Sequence, residues 1–457
     1  MTESELTNAS HEILVALIAE LRAVLAVLQT VIAQHEATIA ELLRRISDLE
    51  QRLSRRGSPG MPGNKPTQSK PHPVPRPRKK RAQGFGRPRM TPTQTVVHAV
   101  AQCPTCQRPL VGGWVQRTRQ VIELPIMPVE VSEHQYLARE CPFCGTRHVP
   151  PVELDGVVVG KRHRLGVGLV SVIAILREEG RLPFGMIQWY LQTVHHLHLS
   201  QGALVAVVNQ VAKRGQPAVE AIQGAIQASP VVNADETGWR ETGKNGYVWT
   251  VSTPTARFFR RGARTKEMID EILGPSFGGK LVSDFYAAYH HFTGIHQRCW
   301  AHLLRDIHDL TELYPTDPSL TTWATAVRAL YDEALAFHAS AEPPRLIAQH
   351  AWEERLLAVC RPFVADPLAV QAKLCRRIER HITELFVFVG DPTVPSTNNG
   401  AERSLRHLVT ARKISGGTQS PQGTSTKMTL ASLFGTWRLN AINPLDACRS
   451  LLQSPDH

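Results

Sequence analysis

Apolar residues near the start of the chain recur alternately three and four positions apart, as on one stripe of a long helix. One seam carries Ile18, Leu25, Ile32, Ile39, Ile46 and Leu53, and the other Leu14, Leu21, Leu28, His35, Leu42 and Leu49. Eleven of these twelve positions are apolar. Mostly Ile on the first seam with Leu on the second favours a parallel two-stranded coiled coil over residues 11–55. His35, the one polar seam residue, is a register-fixing or a tolerated defect. A helix packed on its own domain is the alternative, and a heptad run this long without caps argues against it. The stretch Ile13 to Ala33 raises the question of a membrane span, but Glu20 and Arg22 lie inside it and the heptad accounts for its apolarity. No membrane partner is expected.

The pattern then changes period. Arg55-Arg56-Gly57-Ser58-Pro59-Gly60 ends the helix, and residues 56–92 read as an extended basic linker rich in Pro and Gly. Residues 160–228 return to helical spacing: Leu169–Leu176 closed by Gly180, a restart at Leu182-Pro183, then Met186–Thr193 and a helix N-capped by Ser200. That pair reads equally as a helix-turn-helix lying on DNA and as plain helical packing. Beyond it, Tyr247, Trp249 and Val251 alternate with Val248, Thr250 and Ser252, the period of a strand, and Ala256–Arg260 continues an antiparallel meander. Lys266–Leu273 reads as a helix and Lys280–Ser283 as a buried strand. Residues 301–390 are mostly helical, an insertion within a domain spanning 229–415, and 416–457 form a helical tail. The fold class expected is a multidomain α/β chain.

Charge sharpens this division. The chain has 457 residues and a net charge of +12, yet no acidic residue lies between Glu50 and Glu123, where fifteen Lys and Arg fall. The remainder therefore sums to about −3 (12 − 15). Basicity so local suits contact with phosphates, with a merely solvated linker as the alternative. Lys79, Lys80, Arg81, Arg87 and Arg89 are the candidate contacts, and Gly86-Arg87-Pro88 has the form of a minor-groove hook.

Within 93–152, Cys103-Pro-Thr-Cys106 and Cys141-Pro-Phe-Cys144 each offer two thiolates with the spacing of a zinc knuckle. Together they complete one tetrahedral structural Zn²⁺ site, with His98 and His148 as possible substitute ligands. Gln107 stands where a Gly is usual, and the gap between knuckles is longer than in common ribbons. Nothing resembles a signal peptide, so a reducing cytosolic compartment is expected.

Three acids carry the chemistry. Asp235 and Asp284 each follow a short β-branched run, so each is expected where a strand ends, and Glu402 falls in the first turn of a helix opened by Thr397-Asn398-Asn399. Two strand-end Asp and a helix-borne Glu can converge on two divalent cations, Mg²⁺ or Mn²⁺, that activate a hydroxyl and stabilise the leaving oxygen of a phosphodiester. Strand, hairpin strands, helix and strand, with acids on the first and fourth strands, is the ribonuclease H-like arrangement. Glu236 adjoins Asp235, but successive strand residues point to opposite faces, so only one can face the site. Arg403, Arg406, Arg412 and Lys413 follow Glu402 and are placed to hold DNA phosphates, unless they form a solvated helix face. Cys299-x-x-His302 is half of a metal-binding pair and reads better as ordering the start of the insertion.

The order of these pieces resembles transposases of the insertion-sequence-66 family, over nearly the whole chain. The most specific matches are Ala234-Asp235-Glu236-Thr237, Ser283-Asp284-Phe285-Tyr286, Cys299-Trp300-Ala301-His302, and Asn398-Asn399 followed by Glu402-Arg403. Ala431-Ser432-Leu433 and Asn440-Ala441-Ile442-Asn443-Pro444 match the closing helix. Leu303-Leu304-Arg305 departs from a basic pair usual in the family. The resemblance implies cleavage at transposon ends and strand transfer into target DNA by Asp235, Asp284 and Glu402. It also implies small accessory proteins from the same element and a bacterial, nucleoid-associated location, while the coiled coil predicts a dimer or higher oligomer. A nuclease that cuts without joining, and a decayed or domesticated DNA-binding regulator, are the alternatives.

Overall fold

The computed structural model describes residues 3–55, 89–122, 124, 129–152, 157, 165–340 and 345–454. The chain divides into two compact units, Met1–Gly84 and Phe85–His457. Lys79, Lys80, Arg81 and Arg87 lie outside the described residues.

In the first unit, α1 is one helix from Glu3 to Arg55. Its seam residues Ile18, Leu21, Leu25, Leu28, Ile32, Ile39, Leu42 and Ile46 are all exposed, and so are Val24, Val27, Val31 and Leu43 off the seam. By length and apolar content, Leu21–Ser47 is also sufficient to cross a membrane.

The second unit begins with two small turns of the same design. In the first, Gln107 N–H donates to the Cys103 carbonyl at 2.8 Å and Cys103 N–H to the Arg108 carbonyl at 2.9 Å. In the second, Gly145 N–H donates to the Cys141 carbonyl and Cys141 N–H to the Thr146 carbonyl, both at 2.9 Å. Strands β1 (Arg139–Glu140) and β2 (Arg147–His148) flank the second turn, and a Gln102–Pro109 bridge flanks the first. Each turn needs a left-handed residue, supplied by Gly145 at φ 71° and, in place of the usual glycine, by Gln107 at φ 62°.

Helices α2 (Val167–Glu178), α3 (Phe184–His195) and α4 (Gln201–Gln227) follow. Ser200 caps α4 through its Oγ, which accepts from Ala203 N–H at 3.2 Å. Next come β3 (Val231–Glu241), β4 (Lys244–Ser252), β5 (Arg257–Gly262), α5 (Glu267–Leu273), β6 (Lys280–Ser283) and β7 (His296–Arg298). Five of these are strands of one mixed sheet, in the order β5-β4-β3-β6-β7. The first three are antiparallel, while β6 runs parallel to β3 and β7 parallel to β6. Helices α6 (Trp300–Leu313), α7 (Pro318–Ala339), α8 (Arg345–Val364), α9 (Ala372–Arg380) and α10 (Val387–Gly390) form the helical insertion, and α11 (Asn399–Ser415), α12 (Pro421–Leu439) and α13 (Pro444–Gln453) close the chain.

Burial explains the layering. The even face of β3 sends Val232 and Ala234 into a core shared with Leu204, Val208 and Val211 of α4 and Leu433 of α12. Its odd face sends Trp239 against Leu405 and Leu408 of α11. Helices α2–α4 and α12–α13, which sequence spacing separates from the sheet, share its largest buried cluster. The insertion has its own core around Trp300, Leu303, Trp323 and Phe388, joined to the sheet by Val231 and Val282. One buried ion cluster ties three helices. Glu178 of α2, fully buried, accepts from Lys427 Nζ at 2.7 Å and lies 3.0 Å from His407 Nε2.

Candidate active site

Asp284 stands where its pattern predicts, on the residue after β6. Asp235 does not stand at a strand end. It lies inside the eleven-residue β3, opposite Thr250 of β4, because β3 runs on into a long hairpin. What stops near Asp235 is the parallel pairing, which β6 makes only at Val231–Lys280, Val232–Leu281 and Asn233–Val282. Continued along the same register, Asp284 falls level with Asp235, so two carboxylates meet where β6 leaves the sheet.

Glu402 reaches them from α11 through Asn398. Asn398 is the residue at which α11 opens, yet its side chain makes no cap bond. Instead Asn398 Nδ2 donates to the Ala234 carbonyl at 2.6 Å, and Asn233 Nδ2 donates to Asn398 Oδ1 at 3.1 Å. Asn398 is fully buried, so these bonds fasten the start of α11 beside the residue preceding Asp235. Gly400 permits the approach, because a Cβ there would lie 3.1 Å from Asn233 Oδ1.

The electrostatics record the convergence. Burial first, then the negative charges of Glu236, Asp284 and Glu402, push the Asp235 carboxyl up to about 8, against a bond from Glu236 N–H. Glu236 is raised by burial and by Asp284, although Arg264 and Tyr289 hold its carboxylate. Tyr289 O–H donates to Glu236 Oε2 at 2.9 Å, and Arg264 Nη2 to Oε1 at 2.7 Å. Glu236 is thus engaged on the opposite face from Asp235, as strand alternation requires.

His302, on the first turn of α6, brings Nε2 to 3.5 Å from Glu402 Oε1. Its Nδ1 is buried without a hydrogen-bond partner. Cys299 works as an organiser: its N–H donates to the Ser283 carbonyl at 2.8 Å, and its Sγ accepts from Asn398 N–H at 3.1 Å. The Cys-x-x-His spacing was therefore a usable signal for this junction. Arg298 carried no comparable one, and the Asn398-Asn399 match gave no sign of the bond to Ala234.

The basic residues separate. Arg403, Arg406 and Lys413 of α11 are exposed. Arg412 turns inward, donating to Thr237 Oγ1 at 3.0 Å and to the Gly238 carbonyl. Arg89 is exposed and donates to Thr118 Oγ1. No disulfide joins any of the eight cysteines. Hydrogen bonds within the knuckles, chiefly from Cys106 for Cys103 and from Thr146 for Cys144, lower the pKa of these two thiols. Among the described residues no three His, Cys, Asp or Glu side chains close into a ligand shell. The three acids are neighbours by charge, and the two knuckles stand as separate pairs.

Residues 162–426, which include all three acids, match the Transposase IS66 family. The chain belongs to that family. A stretch of 161 residues is also 33% identical to the uncharacterized protein y4jO of Sinorhizobium fredii (strain NBRC 101917 / NGR234). That match covers 34% of this chain and 47% of y4jO, so the chain spans about half the length of this relative.

Proposed function

We propose that this transposase cuts DNA at the ends of an insertion sequence and joins those ends to target DNA, using Asp235, Asp284 and Glu402. The observation that carries the reading is geometric: the β3–β6 register levels Asp235 with Asp284, and the Asn398–Ala234 bond fastens the helix of Glu402 beside them. Mutually repelling oxygen donors in one recess are suited to hard divalent cations, Mg²⁺ or Mn²⁺. When bound, a pair of such ions lowers the pKa of the attacking water or 3′-hydroxyl and stabilises the departing 3′-oxygen. The chain's own part is to orient. The β3–β6 register levels the two aspartates, Asn398 fixes the helix that bears Glu402, and Arg403, Arg406 and Lys413 hold phosphates without reading sequence. The strand order, with three antiparallel strands followed by two parallel ones, supports a ribonuclease H-like core.

The remaining segments fit the same activity. The exposed seams of α1 suit a coiled coil with a second copy, and two DNA ends must be brought together. The basic linker 56–92 suits phosphate contact. The matched Cys turns suit one structural Zn²⁺, which would draw Cys103, Cys106, Cys141 and Cys144 into one tetrahedral set.

The test is cleavage and joining on labelled DNA carrying the element's ends, comparing wild type with Asp235→Asn in Mg²⁺ and in EDTA. Joined products that need both the metal and Asp235 are expected. Cut but unjoined products would make the chain a nuclease. End binding without cutting, with accessory proteins present, would make it a regulator.

A further inference from the structure

Arg298 closes β7 with only 1% of its surface exposed. A guanidinium stays charged under any condition in which this fold exists, so a buried one must be held by partners. It has two, on opposite sides. Nε donates to Glu384 Oε2, at the return of the helical insertion to the sheet. Nη1 donates to the main-chain carbonyl of Asp284 at 2.8 Å.

The Asp284 peptide is unusually constrained around this bond. Its carbonyl also accepts from Ser283 Oγ at 2.9 Å, and that hydroxyl lies 2.8 Å from His296 Nε2. Beyond the carbonyl, the Asp284 carboxylate accepts from Tyr286 N–H at 2.9 Å through Oδ1. On the other side, the insertion's return is sewn to β7. Gln297 Nε2 donates to the Leu385 carbonyl at 3.0 Å, and Gln297 Oε1 accepts from Phe388 N–H at 3.0 Å. Glu384 itself lies 3.4 Å from His381 Nδ1 and 3.6 Å from His296 Nδ1. The planar guanidinium is therefore the strut between a rigid helical body and the one peptide whose side chain must stand level with Asp235. Lysine, with a single ammonium, reaches one of these partners at a time.

We propose that Arg298 is a positioning residue: anchored by Glu384, it pins the Asp284 peptide and so sets where the Asp284 carboxylate stands relative to Asp235 and Glu402. The inference rests on Asp284 being a cation-holding acid, as in the function proposed above. It also gives the insertion a role in the site without any insertion residue touching substrate.

The test uses the full chain and Mn²⁺ as probe, with binding followed by electron paramagnetic resonance, end cleavage in parallel, and thermal unfolding as the control. Arg298→Met with Glu384→Leu removes both charges of the pair together, a replacement that folds commonly tolerate, whereas removing one partner strands the other. Arg298→Lys is the second variant and keeps the charge for Glu384. Both are expected to fold and to weaken Mn²⁺ binding by about 10- to 100-fold, the usual scale for losing a residue that orients a ligand, with cleavage falling alongside. Either variant, folded and with wild-type Mn²⁺ affinity and cleavage, overturns the proposal. Asp284→Asn separates the two levels: wild-type Mn²⁺ binding and cleavage in that variant would overturn the site itself. Loss there, with Arg298 variants unaffected, would overturn only the strut.

Discussion

Residues 89–152 and the sheet both offer many apolar side chains, and the two regions treat them in opposite ways. In the sheet, Val232, Ala234, Trp249, Val251 and Leu281 are wholly buried. In the knuckle segment Trp114 is 86% exposed and Phe143 97% exposed, with Val111, Val121 and Val131 nearly as open. The sheet is covered by helices on both faces, so burial specifies it. The knuckle segment is specified turn by turn, through a few main-chain bonds beside each Cys pair. A region built that way has little core of its own, and the sheet has a large one. The contrast can be pressed from both sides.

The largest effect is expected from zinc. Chelation, or Cys141→Ser, removes one zinc equivalent per chain and with it a binding free energy on the order of 10 kcal/mol. Proteolysis should then open residues 93–152 while the thermal transition of the sheet stays in place. Zinc content by mass spectrometry with calorimetry checks both halves; a shift of the main transition would mean the two regions are not independently held.

In the core, Asp284→Asn and Glu402→Gln are each expected to lower end cleavage by on the order of 10³-fold in single-turnover assays, the scale of losing a group that stabilises developing charge. Asp235→Asn should do the same and yet raise the melting temperature, because it removes a buried carboxylate repelled by its neighbours. A drop in both activity and melting temperature would contradict the repulsion.

A purely structural charge cluster should respond differently. Burial acts to raise the Glu178 carboxyl, but Lys427 and His407 hold it down at about 2. Its folded value lies below its ordinary one near 4.5. The stability it contributes is therefore complete above about pH 4.5 and is lost as pH falls toward 2. Lys427→Met is expected to cost on the order of 3–5 kcal/mol at neutral pH by leaving Glu178 uncompensated. Denaturant melts across pH would show a smaller acid-side loss in the variant.

The smallest effects concern the arginines of α11. Arg403→Ala and Arg406→Ala should each reduce the salt dependence of DNA binding by about one unit of slope with stability unchanged. Arg412→Ala should leave that slope alone and destabilise the fold, since its guanidinium is bonded to Thr237 and Gly238. A changed slope for Arg412→Ala would return it to the DNA surface.

Much of the local structure was legible in the chain. Alternation around Trp249 predicted β4, Ser200 announced the start of α4, and Lys280–Ser283 delivered Asp284 to a strand end. The misreading of Asp235 has a clear cause. A short apolar run ending in Asp-Glu-Thr-Gly looks like a strand followed by a turn, and nothing local shows that β4 extends the pairing to Glu241. The bond made by Asn398 was not legible for a similar reason: its partner, the Ala234 carbonyl, lies 164 residues away. Arg412 looked like its neighbours on a basic helix until β3 supplied acceptors on one side of α11.

The sequence by itself determined where most of the helices and strands lie and which acids and cysteines are candidates for chemistry. These depend on side-chain type and on periods of two, three and four along the chain. Only the tertiary structure decided that Asp235 and Asp284 stand level, that Asn398 ties the start of the helix bearing Glu402 to β3, and that a buried arginine from the edge strand braces the second acid. Those arrangements rest on parallel register and on hydrogen bonds between residues far apart in sequence. No local preference encodes such a bond, because its acceptor exists at that place only once the sheet has formed.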